Sequence, residues 1–254
     1  MRIQHNITAM SSHRNLTNNN SSVTKNLEKL SSGYRINRAG DDAAGLAISE
    51  KMRAQITGLE QAQNNAEDGI SLVQTAEGAL TEVHSMLNRM VELATQSANG
   101  TYSSANRAEM QKEVVALRNE IDRISNTANF NGTTLFSNFQ GGGTQGLVAI
   151  HASETANTAD QIKITLSAMS SSKMSAKIGN DQQTVTLTKV DVSSSTSALK
   201  AITMAKMAID IVSSMRSDFG ALQNRLEHTI NNLGVQTENL SAAESRIRDV
   251  DMAK

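Results

Sequence analysis

The chain has no cysteine, no proline and no tryptophan, and only 2% of its 254 residues are aromatic. Without cysteine there is no disulfide framework, no thiol nucleophile and no thiolate metal site. Without proline the strongest helix breaker is missing, so long uninterrupted helices are allowed. Without large aromatics the buried area falls to Leu, Ile, Val, Ala and Met, a set that suits helix–helix seams better than a thick core. Charge of one sign is lacking as well: 24 basic residues face 25 acidic ones, so nothing calls for a nucleic-acid partner. No apolar run approaches the ~18 residues of a membrane-crossing helix. Residues 1–20 lack the ~7–15-residue apolar centre of a secretory signal. The Asn-x-Ser/Thr matches at Asn6, Asn15, Asn99 and Asn131 read as chance.

Catalytic and metal chemistry is equally hard to place. His5, His13, His84, His151 and His228 are scattered, with no pair at the four-residue spacing of a helical metal site and no HExxH. No GxSxG elbow locates a nucleophile. GGGTQG (141–146) lacks the lysine and the strand–loop–helix context of a phosphate loop and reads as a flexible linker. The reading is therefore a chain that is not an enzyme and needs no metal or cofactor.

What is present is heptad periodicity. Leu59, Ala66, Val73, Leu80, Leu87 and Ala94 recur at sevens, and Ala62, Gly69, Ala76, Val83 and Met90 fall three later. That is an a/d seam. The helix it predicts starts near Asp41 or Asp42, stops at Asn99-Gly100 and is roughly 80 Å long. A second seam, Met110, Val114, Leu117, Ile121, Ile124 and Ala128, predicts a shorter antiparallel neighbour ending before NFNG. A third runs through Ala198, Ala205, Val212, Phe219, Leu226, Leu233, Leu240 and Ile247, with its companion positions turning polar at Thr229 and Gln236. Together these predict a mainly α chain: an elongated, coiled-coil-like helical bundle formed by residues 41–136 and 195–254.

The remaining segments differ. Residues 137–194 predict a small antiparallel β insertion, with strands at 147–152, 161–167 and 183–190. Residues 1–40 hold a weaker amphipathic helix, marginal alone in water and suited to a partner. Between that helix and the long one lies YRINRAGDDAAGLAIS. Its paired acids could suggest a metal or phosphate site. Acids at a helix start repel phosphate, however, and two carboxylates make a poor cation cage. Arg35, Arg38, Gly40, Asp41, Asp42 and Gly45 are better read as a hinge and helix cap.

These stretches resemble the bacterial flagellins. The likeness rests on NLEKLSSGYRINRAGDDAAGLAISEKMRAQI (26–56), AEDGISLVQTAEGALTEVHSMLNRMVELATQSANGTY (66–102), NEIDRISNTANFNGTTLF (119–136), FGALQNRLEHTINNL (219–233) and ENLSAAESRIRDVDMAK (238–254). The resemblance implies a structural subunit that polymerises with copies of itself into the flagellar filament, outside the cell. Export would be by the flagellar type III apparatus, with a chaperone. It also implies a short form without large outer domains. Flagellins continue past DVDMAK with another amphipathic helix, the partner of residues 1–40 and the region gripped by the chaperone, so a chain ending at Lys254 is expected to polymerise poorly. The arginines of the hinge are expected to face neighbouring copies. A hook-associated junction protein with similar terminal helices is the alternative, while a catalytic insertion is disfavoured because 137–197 is short and carries a single histidine.

The resemblance further implies recognition by a flagellin-sensing Toll-like receptor. The matching residues are Arg89, Glu92, Leu93 and Gln96 within LNRMVELATQ (87–96), with Glu113 on the next helix. Val91 and Leu117 stand where many recognised flagellins carry basic residues.

Overall fold

The computed structural model describes residues 6–136, 145–154, 157, 160–171, 175–178 and 183–251. Four α-helices carry most of the described residues: α1 (Ile7–Ser32), α2 (Ala43–Ala98), α3 (Ser104–Thr127) and α4 (Ser195–Arg248). Six short strands come between α3 and α4 in chain order. They form three separate antiparallel pairs: β1 (Asn129–Phe130) with β2 (Thr133–Thr134), β3 (Gln145–His151) with β4 (Gln161–Ser167), and β5 (Ser175–Ile178) with β6 (Gln183–Thr186). The chain divides into two compact units, one of Met1–Gln61 with Asn232–Lys254 and one of Ala62–Asn231. The division falls inside α2 and α4, so each of these helices contributes to both units.

In the first unit, Asn6 caps α1 by accepting the Ala9 N–H at 3.1 Å. The helix continues through Asn18-Asn19-Asn20 and ends at Gly33, whose φ of 73° is left-handed and whose N–H returns to Lys29 O. No residue of α1 is buried. The helix leaves its large apolar side chains uncovered: Ile7, Met10, Leu16, Val23, Leu27 and Leu30 are 55–76% exposed.

The second unit holds one apolar core shared by α2, α3, α4 and the β segment. Leu80 and Leu87 of α2, Val114 and Ile121 of α3, and Val212, Phe219 and Leu226 of α4 are all buried. Each such side chain stabilises the fold by roughly 1.5–3 kcal/mol relative to exposure. The companion stripe works as expected, with Ala76, Val83 and Met90 also buried. At Gly69 the stripe lacks a side chain; a Cβ there would lie 3.1 Å from Ile150 on β3. The hairpin thus settles against the helix where the seam is thinnest. Along β4, Ile162, Ile164 and Leu166 point inward, which gives the alternation visible in QIKITLS.

At NFNG, Asn131 (φ 49°) and Gly132 (φ 79°) close a two-residue hairpin between β1 and β2, as a primed turn requires. The third expected strand stops at Thr186, and Leu187–Lys189 forms a 3-10 turn. Leu187, Val190 and Val192 are buried there, a spacing that a two-residue strand repeat does not supply. Residues 141–144 of the glycine run lie outside the described residues.

Polar side chains of α2 and α3 hold this segment by its main chain. The Gln111 amide donates to Val190 O at 3.3 Å and accepts from Val192 N at 2.7 Å. Arg118 donates to Thr188 O, Ser97 to Val192 O, Ser125 to Phe136 O and Asn65 to His151 O. The carboxylate of Asp122 accepts both the N–H and the hydroxyl of Ser171. At the end of α2, Arg107 donates to Ser97 O and Asn99 O, while Ser195 donates to Ala98 O. These bonds satisfy helix carbonyls that have no partner within the helix.

Candidate assembly and recognition surfaces

The segment between α1 and α2 is built from side chains folded back on local main chain. Asp42 caps α2, its Oδ1 accepting the Gly45 N–H at 2.9 Å. Asp41 does not cap the helix. Its Oδ2 accepts the N–H groups of Asn37 and Arg38, at 3.2 and 3.1 Å, and these bonds hold the Asp41 carboxyl below its ordinary range. Gly45 is there for space and not for bending. A Cβ would lie 2.5 Å from Asp42 Oδ2 and 2.8 Å from Ile36 Cδ1, and Ile36 is a buried side chain. A Cβ on Gly40 would meet nothing within 4 Å.

Both arginines bond within the chain while remaining exposed. Arg35 Nη2 donates to Ile247 O at 2.5 Å, and Arg38 forms a 2.9 Å ion pair with Glu28. Arg35 N–H also donates to Arg248 O, and Val250 N–H donates to Gly33 O. Tyr34 and Asp249 therefore face each other in an antiparallel bridge. Nothing in the seam pattern marks this pairing, because it uses main-chain atoms outside the heptads.

The residues assigned to receptor recognition divide by burial. Arg89 lies between two carboxylates, with Nε 2.8 Å from Glu113 Oε1 and Nη1 2.9 Å from Glu92 Oε2. The Glu113 bond, and then the Glu92 bond, raise the pKa of the guanidinium above its ordinary value. All three side chains reach solvent, at 49%, 43% and 66% exposure for Arg89, Glu113 and Glu92. Gln96 donates to the Tyr102 hydroxyl at 2.9 Å. Leu93 does not belong with them. It is 2% exposed and packed into the core, so its side chain has no surface to offer a partner.

The seam residues Leu59, Val73, Leu80, Leu87, Val212, Phe219, Leu226 and Leu233 are all buried. Leu240 and Ile247 are only half-buried, where the companion positions of α4 have become polar. Among the described residues no three His, Asp or Glu side chains converge as a metal set. No described helix is long and apolar enough to cross a membrane.

Two family models match the chain: the bacterial flagellin N-terminal helical region over residues 3–140 and the bacterial flagellin C-terminal helical region over residues 202–254. The first alone covers more than half of the sequence. The chain belongs to the bacterial flagellins. A flagellin of Halalkalibacterium halodurans is 49% identical over 254 residues, covering 100% of this chain and 88% of that relative. The crystal structure of Bacillus cereus flagellin aligns with a TM-score of 0.52 at 30% identity, over 71% of this chain and 94% of that one. A flagellar hook-associated chain from Vibrio parahaemolyticus aligns with a TM-score of 0.66 over 82% of this chain and 100% of its own, but at 13% identity that likeness is one of fold alone. As a flagellin, the chain is a structural subunit of the flagellar filament and not an enzyme.

Proposed function

We propose that this flagellin polymerises through its helices into a filament that drives motility, after export by the flagellar type III apparatus with a chaperone. The observation that carries the reading is the apolar face of α1, which has no buried residue and keeps Leu16, Val23, Leu27 and Leu30 more than half exposed. Uncovered apolar surface at helical spacing favours helix-on-helix burial. The partner is a terminal helical segment or a further copy of the chain. Sedimentation and electron microscopy of the concentrated protein test this: filaments are expected, and Leu16→Asp with Val23→Asp is expected to abolish them. Filaments formed equally well by that variant would remove α1 from assembly. The identity to flagellins favours the filament subunit over a hook-associated junction protein.

We also propose that the Arg89–Glu92–Glu113 cluster, with Gln96 beside it, is the surface read by the flagellin-sensing Toll-like receptor. What supports this is a guanidinium held in a fixed position by two carboxylates on two helices. Arg89→Ala is expected to weaken receptor binding by tenfold or more with the helical content unchanged. Binding at wild-type strength would sink the assignment.

A further inference from the structure

The first unit contains one arginine whose surroundings differ from those of the surface ion pairs. Arg248 is the last residue of α4, and its side chain is 15% exposed. Its Nη1 lies 2.6 Å from Glu50 Oε1 and 4.0 Å from Glu244 Oε1. Its guanidinium carbon stands 4.8 Å from the centre of the Tyr34 ring, within cation–π range. Its carbonyl accepts the Arg35 N–H at 2.7 Å. A single residue therefore touches the chain leaving α1 through Tyr34 and Arg35, the start of α2 through Glu50, and its own helix through Glu244.

The contacts form a set. Two main-chain bonds, Arg35 N–H to Arg248 O and Val250 N–H to Gly33 O, join residues 33–35 to 248–250. A two-rung ladder is too short to persist on its own. Of the apolar side chains beside it, Ile36 is buried, whereas Tyr34 is 38% exposed and Ile247 half-buried. What closes the ladder on both sides is charge and ring: Arg248 over Tyr34 on one strand, and Arg248 to Glu50 from the adjoining helix. Because the bridge is antiparallel, residues 248–250 run opposite to residues 33–35.

We infer that Arg248 is a charged key that fixes the two terminal segments in register, and that the Tyr34–Arg248–Glu50 set controls assembly separately from the apolar seams that fold the bundle. The inference rests on the assembly reading above and deepens it. Arg248 is a positioning residue: it acts by setting how α1 is presented to a partner.

The experiment compares Arg248→Met and Arg248→Lys in the full chain. Met keeps most of the stem and its volume but has no charge; Lys keeps a cation for Glu50 and for the Tyr34 ring. Amide hydrogen exchange is followed at Arg35 and Val250, the two ladder donors, with Leu135 in the second unit as control. Arg248→Met is expected to lower protection at Arg35 and Val250 at least tenfold, leave Leu135 unchanged, and raise the concentration needed for sedimentable polymer at least tenfold. Arg248→Lys is expected to stay within threefold of wild type on all readouts. Unchanged protection in Arg248→Met overturns the key, and so does a Lys variant as poor as Met, since packing or shape would then carry the role. Lost protection with unchanged polymerisation overturns the control of assembly while leaving the filament reading intact. A wild-type chain that forms no polymer overturns the filament reading itself, and with it the assembly role, while the exchange data still decide whether Arg248 sets the register.

Discussion

The carboxylate of Asp122 accepts the main-chain N–H of Ser171 at 2.7 Å and its hydroxyl at 2.8 Å. One side chain on α3 thus ties down a residue far along the sequence, and Ser171 is only 3% exposed. Replacing Asp122 with Ala leaves two buried donors without their acceptor. The expected loss is ~1–3 kcal/mol, read as a lower denaturant midpoint. Asp122→Asn keeps one acceptor oxygen and is expected to lose about half as much.

Two glycines of α2 separate conformational cost from space. Gly78 is exposed, and a Cβ there meets nothing within 4 Å. Gly78→Ala is therefore expected to stabilise the chain by ~0.5–1 kcal/mol through helix propensity alone. Gly45→Ala has the same propensity gain, yet its Cβ would come within 2.9 Å of three atoms of Asp42 and Ile36. Thermal unfolding is expected to show a net loss for that variant, with weakened protection of the Gly45 amide.

Leu93 and Arg89 lie four residues apart and are expected to respond in opposite ways. Leu93→Ala opens a cavity in the second unit and is expected to cost ~2–5 kcal/mol, with any loss of receptor binding following from unfolding. Arg89→Ala is expected to leave the melting temperature within ~2 °C, so that its effect on binding is direct. Measuring melting and binding on the same samples separates the two.

Asp41 gives a pH dependence with a definite sign. Its folded pKa lies below the ordinary value of 3.8, the Arg38 N–H contributing most and the Asn37 N–H next. The stabilisation is therefore complete above the ordinary carboxylate range and lost as pH falls through the lowered folded value. Exchange protection at the Asn37 and Arg38 amides is expected to fall in acid, below about pH 4. Asp41→Asn is expected to flatten that dependence. Acid weakening of equal size in the Asn variant would assign the effect to another group.

The long helices were legible because their seams repeat without a polar exception from Leu59 to Ala94 and from Ala198 to Leu226. Leu93 was assigned to recognition by its place in the matching LNRMVELATQ stretch, and the heptad pattern alone does not mark it as buried. It stands one residue before an a position, as does Leu72, and both are buried because α3 and the β segment widen the core beyond a and d. Residues 187–190 were read as the end of a strand because TVTLT (184–188) alternates, and nothing in that alternation reveals that Gln111 and Arg118 will grip the carbonyls of Val190 and Thr188. Arg248 left no signal of its own. An arginine at a helix end is ordinary by sequence, and only the fold brings Tyr34 and Glu50 to it.

The grip of Gln111 on Val190 and Val192 has a consequence for how sequence can change here. An amide that bonds a carbonyl and an N–H reads no side chain. Exposed Lys189 can drift without disturbing the hold, while the inward apolar residues and the glutamine itself cannot. The return of the chain into α4 is thus specified by one helix face, three apolar anchors and the Asp191 carboxylate that accepts the Ser193 N–H.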